Sequence, residues 1–200
     1  MGVITADSKR FLYVLKDGKL HEKVAEGTEG AVKRVHEADN GTITEKWELT
    51  HNGIEGTISS VSLYESDYGT NVNIEIDEFI LSLKASSGYG EAFLEALPNI
   101  DLTKPVTLKP YLKKGSGRPS LFIQQDDVTI RSAFSAYNEE TKEWSSLVEG
   151  YPQPDAKTKT KNTSELWKIF FSMRNEWVKD YLLAQGLITE GAVAASKSDF

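Results

Sequence analysis

The chain has no cysteine, which excludes a disulfide framework, a thiolate metal site and a thiol nucleophile, and points to a reducing, intracellular setting such as the cytoplasm. Long hydrophobic runs are also missing. Nothing approaches the ~18 apolar residues of a membrane span, and residues 1–10 are polar and unlike a secretory signal. Histidine is scarce, and His21, His36 and His51 are scattered, none beside a carboxylate at metal-ligand spacing. Gly115-Ser116-Gly117-Arg118 lacks the Gly-Lys-Ser/Thr ending of a phosphate-binding loop, and no G-x-S-x-G elbow occurs. Asp126-Asp127 reads as a turn, because adjacent strand-turn side chains diverge. These absences leave no candidate catalytic residue and imply no cofactor. The expectation is a binding protein, not an enzyme.

What is present suffices for one domain with an appended helix: 200 residues, 39% hydrophobic and 26% charged. The formal net charge of −7 argues against attraction of the whole molecule to polyanions, but the charge is segregated. Residues 104–118 carry Lys104, Lys109, Lys113, Lys114 and Arg118 with no acid among them, whereas Glu139, Glu140, Glu143 and Glu149 form an acidic stretch.

Residues 11–16, Asp17-Gly18 and Lys19-Leu20 read as a hairpin with a tight turn, and Asn40-Gly41 marks a second. A long strand is expected over 54–64, with Gly56 marking a bulge or bend. Val72, Ile74 and Ile76 alternate with polar residues, and Phe79, Leu81 and Leu83 follow with the same period of two. The pattern then turns helical from Ser86 until Pro98. Strands resume over 106–112, 121–125 and 128–131. Residues 151–161 look like a linker. A helix over 162–186 is framed by Asn162 with Glu165 and by Gly186, and residues 187–200 read as a flexible tail.

The central order is long bent strand, strand, strand, helix, strand, strand. Short alternating strands alone also suit a sandwich, but a helix between the third and fourth strands predicts a mainly β, five-stranded Greek-key barrel of the OB type. On this reading 1–150 is the barrel domain with N-terminal hairpins, followed by the linker and an amphipathic helix. Leu166, Phe170, Met173, Trp177 and Tyr181 form an apolar stripe on that helix, to be covered by its own barrel or, in a homo-oligomer, by a second copy.

One stretch resembles a known family. Gly56 and Ile58, Tyr68-Gly69 before the strand Asn71-Val72-Asn73-Ile74, the sequence Ala96-Leu97-Pro98-Asn99-Ile100-Asp101 and then Lys104-Pro105-Val106 are similar to the single-stranded DNA-binding proteins of tailed bacteriophages. The likeness extends more faintly over 11–137. It implies an OB-fold that binds single-stranded DNA without sequence preference, as a replication or recombination accessory that coats and protects the strand in the host cytoplasm. Many members end in a dense acidic tail that recruits replication proteins. This sequence departs from them, with Asp199 the one acid in Ser196-Lys197-Ser198-Asp199-Phe200.

Holding a single strand takes cations along the phosphates and rings on which bases stack. Lys109 and Tyr111 alternate with Leu108 and Leu112 and so share the face opposite them. Lys113, Lys114 and Arg118 occupy the following glycine-bearing loop, and Arg131, Phe134 and Tyr137 come on or after the last strand. Tyr64 and Tyr68 flank another loop that often binds ligands in this fold, although Glu65 and Asp67 beside them repel phosphate. Trp47 is either a stacking platform or a residue packing the N-terminal hairpin. Phe122 reads as core beside Leu121 and Ile123. Two rival functions stand beside this one: a protein-interaction module that uses the C-terminal helix, and an RNA-binding OB domain.

Overall fold

The computed structural model describes residues 9–37, 41–67 and 69–191. Strand accounts for 44% and helix for 22%, so the chain is mainly β. The N-terminal part forms β1 (Arg10–Val14), β2 (Leu20–Val24), β3 (Val32–Glu37) and β4 (Ile43–His51). β1 pairs with β2 and β3 with β4, all antiparallel. The first connection is wider than Asp17-Gly18 alone suggests. Val14 pairs with Leu20, and residues 15–19 form the loop, in which the Asp17 carboxylate accepts from the Lys19 amide at 3.1 Å. Asn40, the other expected turn residue, lies outside the described residues, as does Tyr68.

The central elements follow the expected order: β5 (Ile54–Ser66), β6 (Gly69–Ile76), β7 (Phe79–Lys84), α1 (Gly88–Ala96), β8 (Pro105–Leu112) and β9 (Pro119–Gln125). Alternation explains their burial. Val72, Ile74, Ile76, Leu81, Leu83, Leu108 and Ile123 point into one core together with Phe93 and Leu94 of α1. β5 serves two neighbours. Its first residues, 54–57, pair with β8, a register shift follows between Ile58 and Ser60, and the remainder pairs with β6. α1 starts at Ser87, whose hydroxyl accepts from the Gly90 amide at 3.2 Å. The buried Gln125 side chain holds the approach to β8 by bonding the Asp101 amide and the carbonyls of Asp101, Lys104 and Pro105.

The expected closed five-stranded barrel is not formed. Among the described residues the sheet runs β9-β8-β5-β6-β7 and then continues into β1, β2, β4 and β3. β1 pairs in parallel with β7, placing Phe11 opposite Ile80 and Leu12 opposite Leu81. The edge of β7 that would close on β9 is therefore already hydrogen-bonded. α1 packs against both β7 and β9 where the seam would lie.

Past β9, Asp126 and Asp127 have φ of 49° and 61°, a primed turn into β10 (Val128–Thr129), which is shorter than the expected strand. An unanticipated hairpin follows, β11 (Ser135–Asn138) with β12 (Glu143–Ser146). The segment expected as a linker holds a buried Tyr151 and a short helix, α2 (Ala156–Lys161).

α3 (Ser164–Ala184) is capped by Thr163 rather than Asn162, which instead ends α2 and accepts from the Trp167 indole at 2.8 Å. Amides of Gly186 and Leu187 bond back to Leu183 and Leu182, a Schellman ending. Its stripe splits. Phe170, Val178 and Leu182 are buried, whereas Ile169, Phe171 and Met173 are exposed. Arg174 reaches Glu91 and Glu95 of α1, so α3 packs on its own domain. The chain beyond α3 does not hang free at once, because Ile188 is buried and β13 (Thr189–Glu190) pairs in parallel with β5. Residues 192–200 lie outside the described residues.

Candidate nucleic-acid interface

The β8–β9 hairpin has two chemically different faces. Val106, Leu108 and Pro110 of β8 turn inward with Leu121, Ile123 and Gln125 of β9. Thr107, Lys109 and Tyr111 turn outward, and their cross-strand partners are Gln124, Phe122 and Ser120. Lys109 therefore faces Phe122 directly, and Tyr111, 41% exposed, lies on its diagonal. The Lys109 stem crosses the backbone at Gly53, where a Cβ would stand 2.5 Å from Lys109 Cγ. Glu55 shares this face and accepts a hydrogen bond from the Thr107 hydroxyl at 3.1 Å.

Beyond the strands, residues 113–118 form an exposed loop closed by bonds from the Lys113 amide to the Arg118 carbonyl (2.8 Å) and from the Gly117 amide to the Lys113 carbonyl (2.9 Å). Gly115 and Gly117 adopt positive φ of 86° and 64°, which lets the loop double back on itself. Among the described residues, Lys109, Lys113, Lys114 and Arg118 make no ion pair. Lys104, the first cation of the basic block, is different: its ammonium sits 2.7 Å from the Asp126 carboxylate. The site thus combines four uncommitted cations with two outward rings. That combination suits a polyanion carrying flat aromatic groups.

The other expected site residues are not gathered here. Phe134 is fully buried, stacked on Tyr151 and edge-on to Trp177 and Tyr181, so it is core and offers no ring to a ligand. Arg131 is exposed and its carbonyl is bonded by Asn99. Tyr137 lies on β11 opposite Trp144, the rings 5.2 Å apart and both exposed, in a hairpin with Glu139, Glu140 and Glu143. Trp47 is half-buried on β4 between the positions of Val24 and Lys33. Tyr64 is half-buried opposite Asn71 on β6. Two rings were missed. Phe122 sits outward because it alternates with Leu121 and Ile123, a signal its apolar neighbours obscured. Trp144 gives no local hint of its partner, since Tyr137 is seven positions away.

The histidines are also better connected than their spacing suggests. His21 Nδ1 lies 3.1 Å from Glu48 and its Nε2 3.0 Å from Asp17, while His51 approaches Glu22 at 3.3 Å. Burial pushes the Glu48 carboxyl up, but the Tyr13 hydroxyl, Arg34 and His21 outweigh it and leave it below the ordinary value. The bidentate Arg10 guanidinium, 2.6 Å away through each nitrogen, holds Glu22 low as well, against burial. No group of three or more potential metal ligands is found among the described residues. Nor is any described helix long and apolar enough to cross a membrane. Comparison with family models, with curated proteins and with solved structures finds no match to this chain.

Proposed function

We propose that this protein binds single-stranded DNA without sequence preference and performs no catalysis. The observation that carries the reading is the juxtaposition of Lys109, Tyr111 and Phe122 on one outward face with Lys113, Lys114 and Arg118 in the adjoining loop. Phosphates displace counterions at the cations, and bases stack on the rings at about 1–3 kcal/mol each. Stacking accepts every base, so discrimination is slight. We further propose that β5–β9 with α1 are an OB-like unit whose closing seam has been taken over by β1. The resemblance to phage proteins supports a role in coating strands during replication or recombination.

The test is competition on a labelled oligo-dT complex. Unlabelled oligo-dT competes best, oligo-U less well and duplex DNA poorly; equal competition by duplex defeats the single-strand reading, and preference for oligo-U favours RNA. A label on the DNA is the better probe, because Trp47, Trp144, Trp167 and Trp177 all lie outside the β8–β9 hairpin.

One observation favours a second reading, a protein-interaction module. Ile169 and Met173 are 61% and 53% exposed on the N-terminal half of α3, beside Phe171. On that reading Ile169→Glu with Met173→Glu abolishes concentration-dependent association in sedimentation and leaves oligo-dT affinity unchanged.

A further inference from the structure

A groove of about 440 Å³ opens beside the basic loop, a size within the usual range for small-molecule sites. Its walls are Val14 at the end of β1 with Leu15 of the following loop, and Leu112 and Pro119, the pair that closes the β8–β9 ladder next to its loop. Lys16 and Lys84, both exposed, stand at its rim, and Gly117 joins it to the loop that carries Lys113, Lys114 and Arg118. Among the described residues neither rim lysine makes an ion pair.

Tyr89 also lines the groove. It is 7% exposed, and its hydroxyl is buried without a hydrogen-bond partner among the described residues. A buried hydroxyl left unpaired is unfavourable, so this group gains from any ligand that meets it. Burial and the charge of Asp17 raise the phenol above its ordinary value, which keeps it protonated and able to donate at neutral pH. Asp17 itself is engaged by His21 and the Lys19 amide.

Apolar walls, one buried donor and cations at the mouth are the requirements of a flat heterocycle attached to phosphate. We infer that the groove receives one unstacked nucleotide of a bound single strand, its base between the Val14–Leu15 and Leu112–Pro119 walls and its edge on the Tyr89 hydroxyl, which a small rotation of the ring uncovers as the base enters, with Lys16 and Lys84 meeting the flanking phosphates. This inference rests on the single-strand reading and extends it, because a hydrogen bond to a base edge imposes a modest base preference that stacking alone does not.

The experiment compares wild type, Tyr89→Phe and Lys84→Ala by anisotropy on labelled oligo-dT, oligo-dC and oligo-dA, and maps photocrosslinks from a strand carrying 5-iodouracil. Tyr89→Phe keeps the ring and removes one net hydrogen bond, so affinity falls about three- to ten-fold for the preferred base and the spread among the three strands narrows. Lys84→Ala, an exposed rim change, lowers affinity for all three alike. Crosslinks fall on Tyr89 or its neighbouring wall. If wild type binds but Tyr89→Phe matches it on every strand and crosslinks confine themselves to the outward β8–β9 face, the groove assignment is overturned while the single-strand reading stands. If wild type binds no strand at low salt, the reading itself fails and the groove assignment with it. Titration with dTMP separates the two sources of a nucleotide: millimolar binding, far weaker than the strand, fits a subsite, whereas dTMP binding as tight as the strand overturns it in favour of a free-nucleotide site.

Discussion

Lys109 and Phe122 face each other across the β8–β9 ladder, on the side turned away from Leu108 and Ile123. A cation and a ring in register are thereby fixed by strand pairing rather than by loop conformation. Phe122→Ala lowers single-strand affinity by about 1–3 kcal/mol and Tyr111→Ala by a similar amount, while the melting temperature changes little. Ile123→Ala, one residue along but inward, destabilises the fold by about 2–5 kcal/mol. Anisotropy titration and thermal unfolding of the three variants check this contrast.

On the proposed single-strand binding, the loop cations act on affinity through counterions. Charge reversal at Lys113, Lys114 and Arg118 weakens oligo-dT binding and flattens the slope of log affinity against log salt by about 2, since each phosphate contact contributes about 0.7 on a single strand. All three are exposed and unpaired among the described residues, so unfolding temperature is expected to hold. Unchanged affinity would place the site elsewhere.

Phe134 makes the opposite prediction. Its ring contacts Tyr151, Trp177 and Tyr181, tying α3 to the body of the domain. Phe134→Ala costs about 3–5 kcal/mol of stability, and the fraction that remains folded binds oligo-dT like wild type. Denaturant unfolding followed by titration under native conditions separates the two effects.

Acid weakens the N-terminal sheet. Glu48 and Glu22 have folded-state values below the ordinary 4.5, and Asp17 lies below 3.8. A depressed carboxyl contributes stability that is present in full above its unfolded value and is lost as pH falls through the folded one. Stability attributable to these groups is therefore constant from neutral pH down to about 4.5 and declines below it. Glu48→Gln lowers stability at neutral pH and shrinks the acid-dependent loss; an unaltered pH profile below 4.5 contradicts the assignment. Thermal unfolding across pH 2–7 reads this out.

Local pattern carried the central elements, because alternation at Val72, Ile74 and Ile76 and at Phe79, Leu81 and Leu83 is a property of neighbouring residues. Which strand occupies an edge is not local. β1 fills the edge of β7 from nearly seventy positions upstream, and nothing in residues 10–14 announces that partner. The same limit explains Phe134, a lone ring among small residues whose packing partners come from 151, 177 and 181, and His21, whose carboxylate partner Glu48 is set by the β2–β4 register. Lys109 and Tyr111 were legible as one face, whereas Phe122 was hidden by reading it with its apolar neighbours instead of by its parity. The hairpin of β11 and β12 escaped because its apolar members, Tyr137 and Trp144, are exposed and bracket a run of acids.

The most direct test of the central claim is anisotropy of labelled oligo-dT titrated with the full-length protein at a series of salt concentrations. Single-strand binding through Lys109, Lys113, Lys114 and Arg118 predicts saturable binding at low salt that weakens with a log–log slope of about −3. No change in anisotropy at low salt, or binding indifferent to salt, would contradict it.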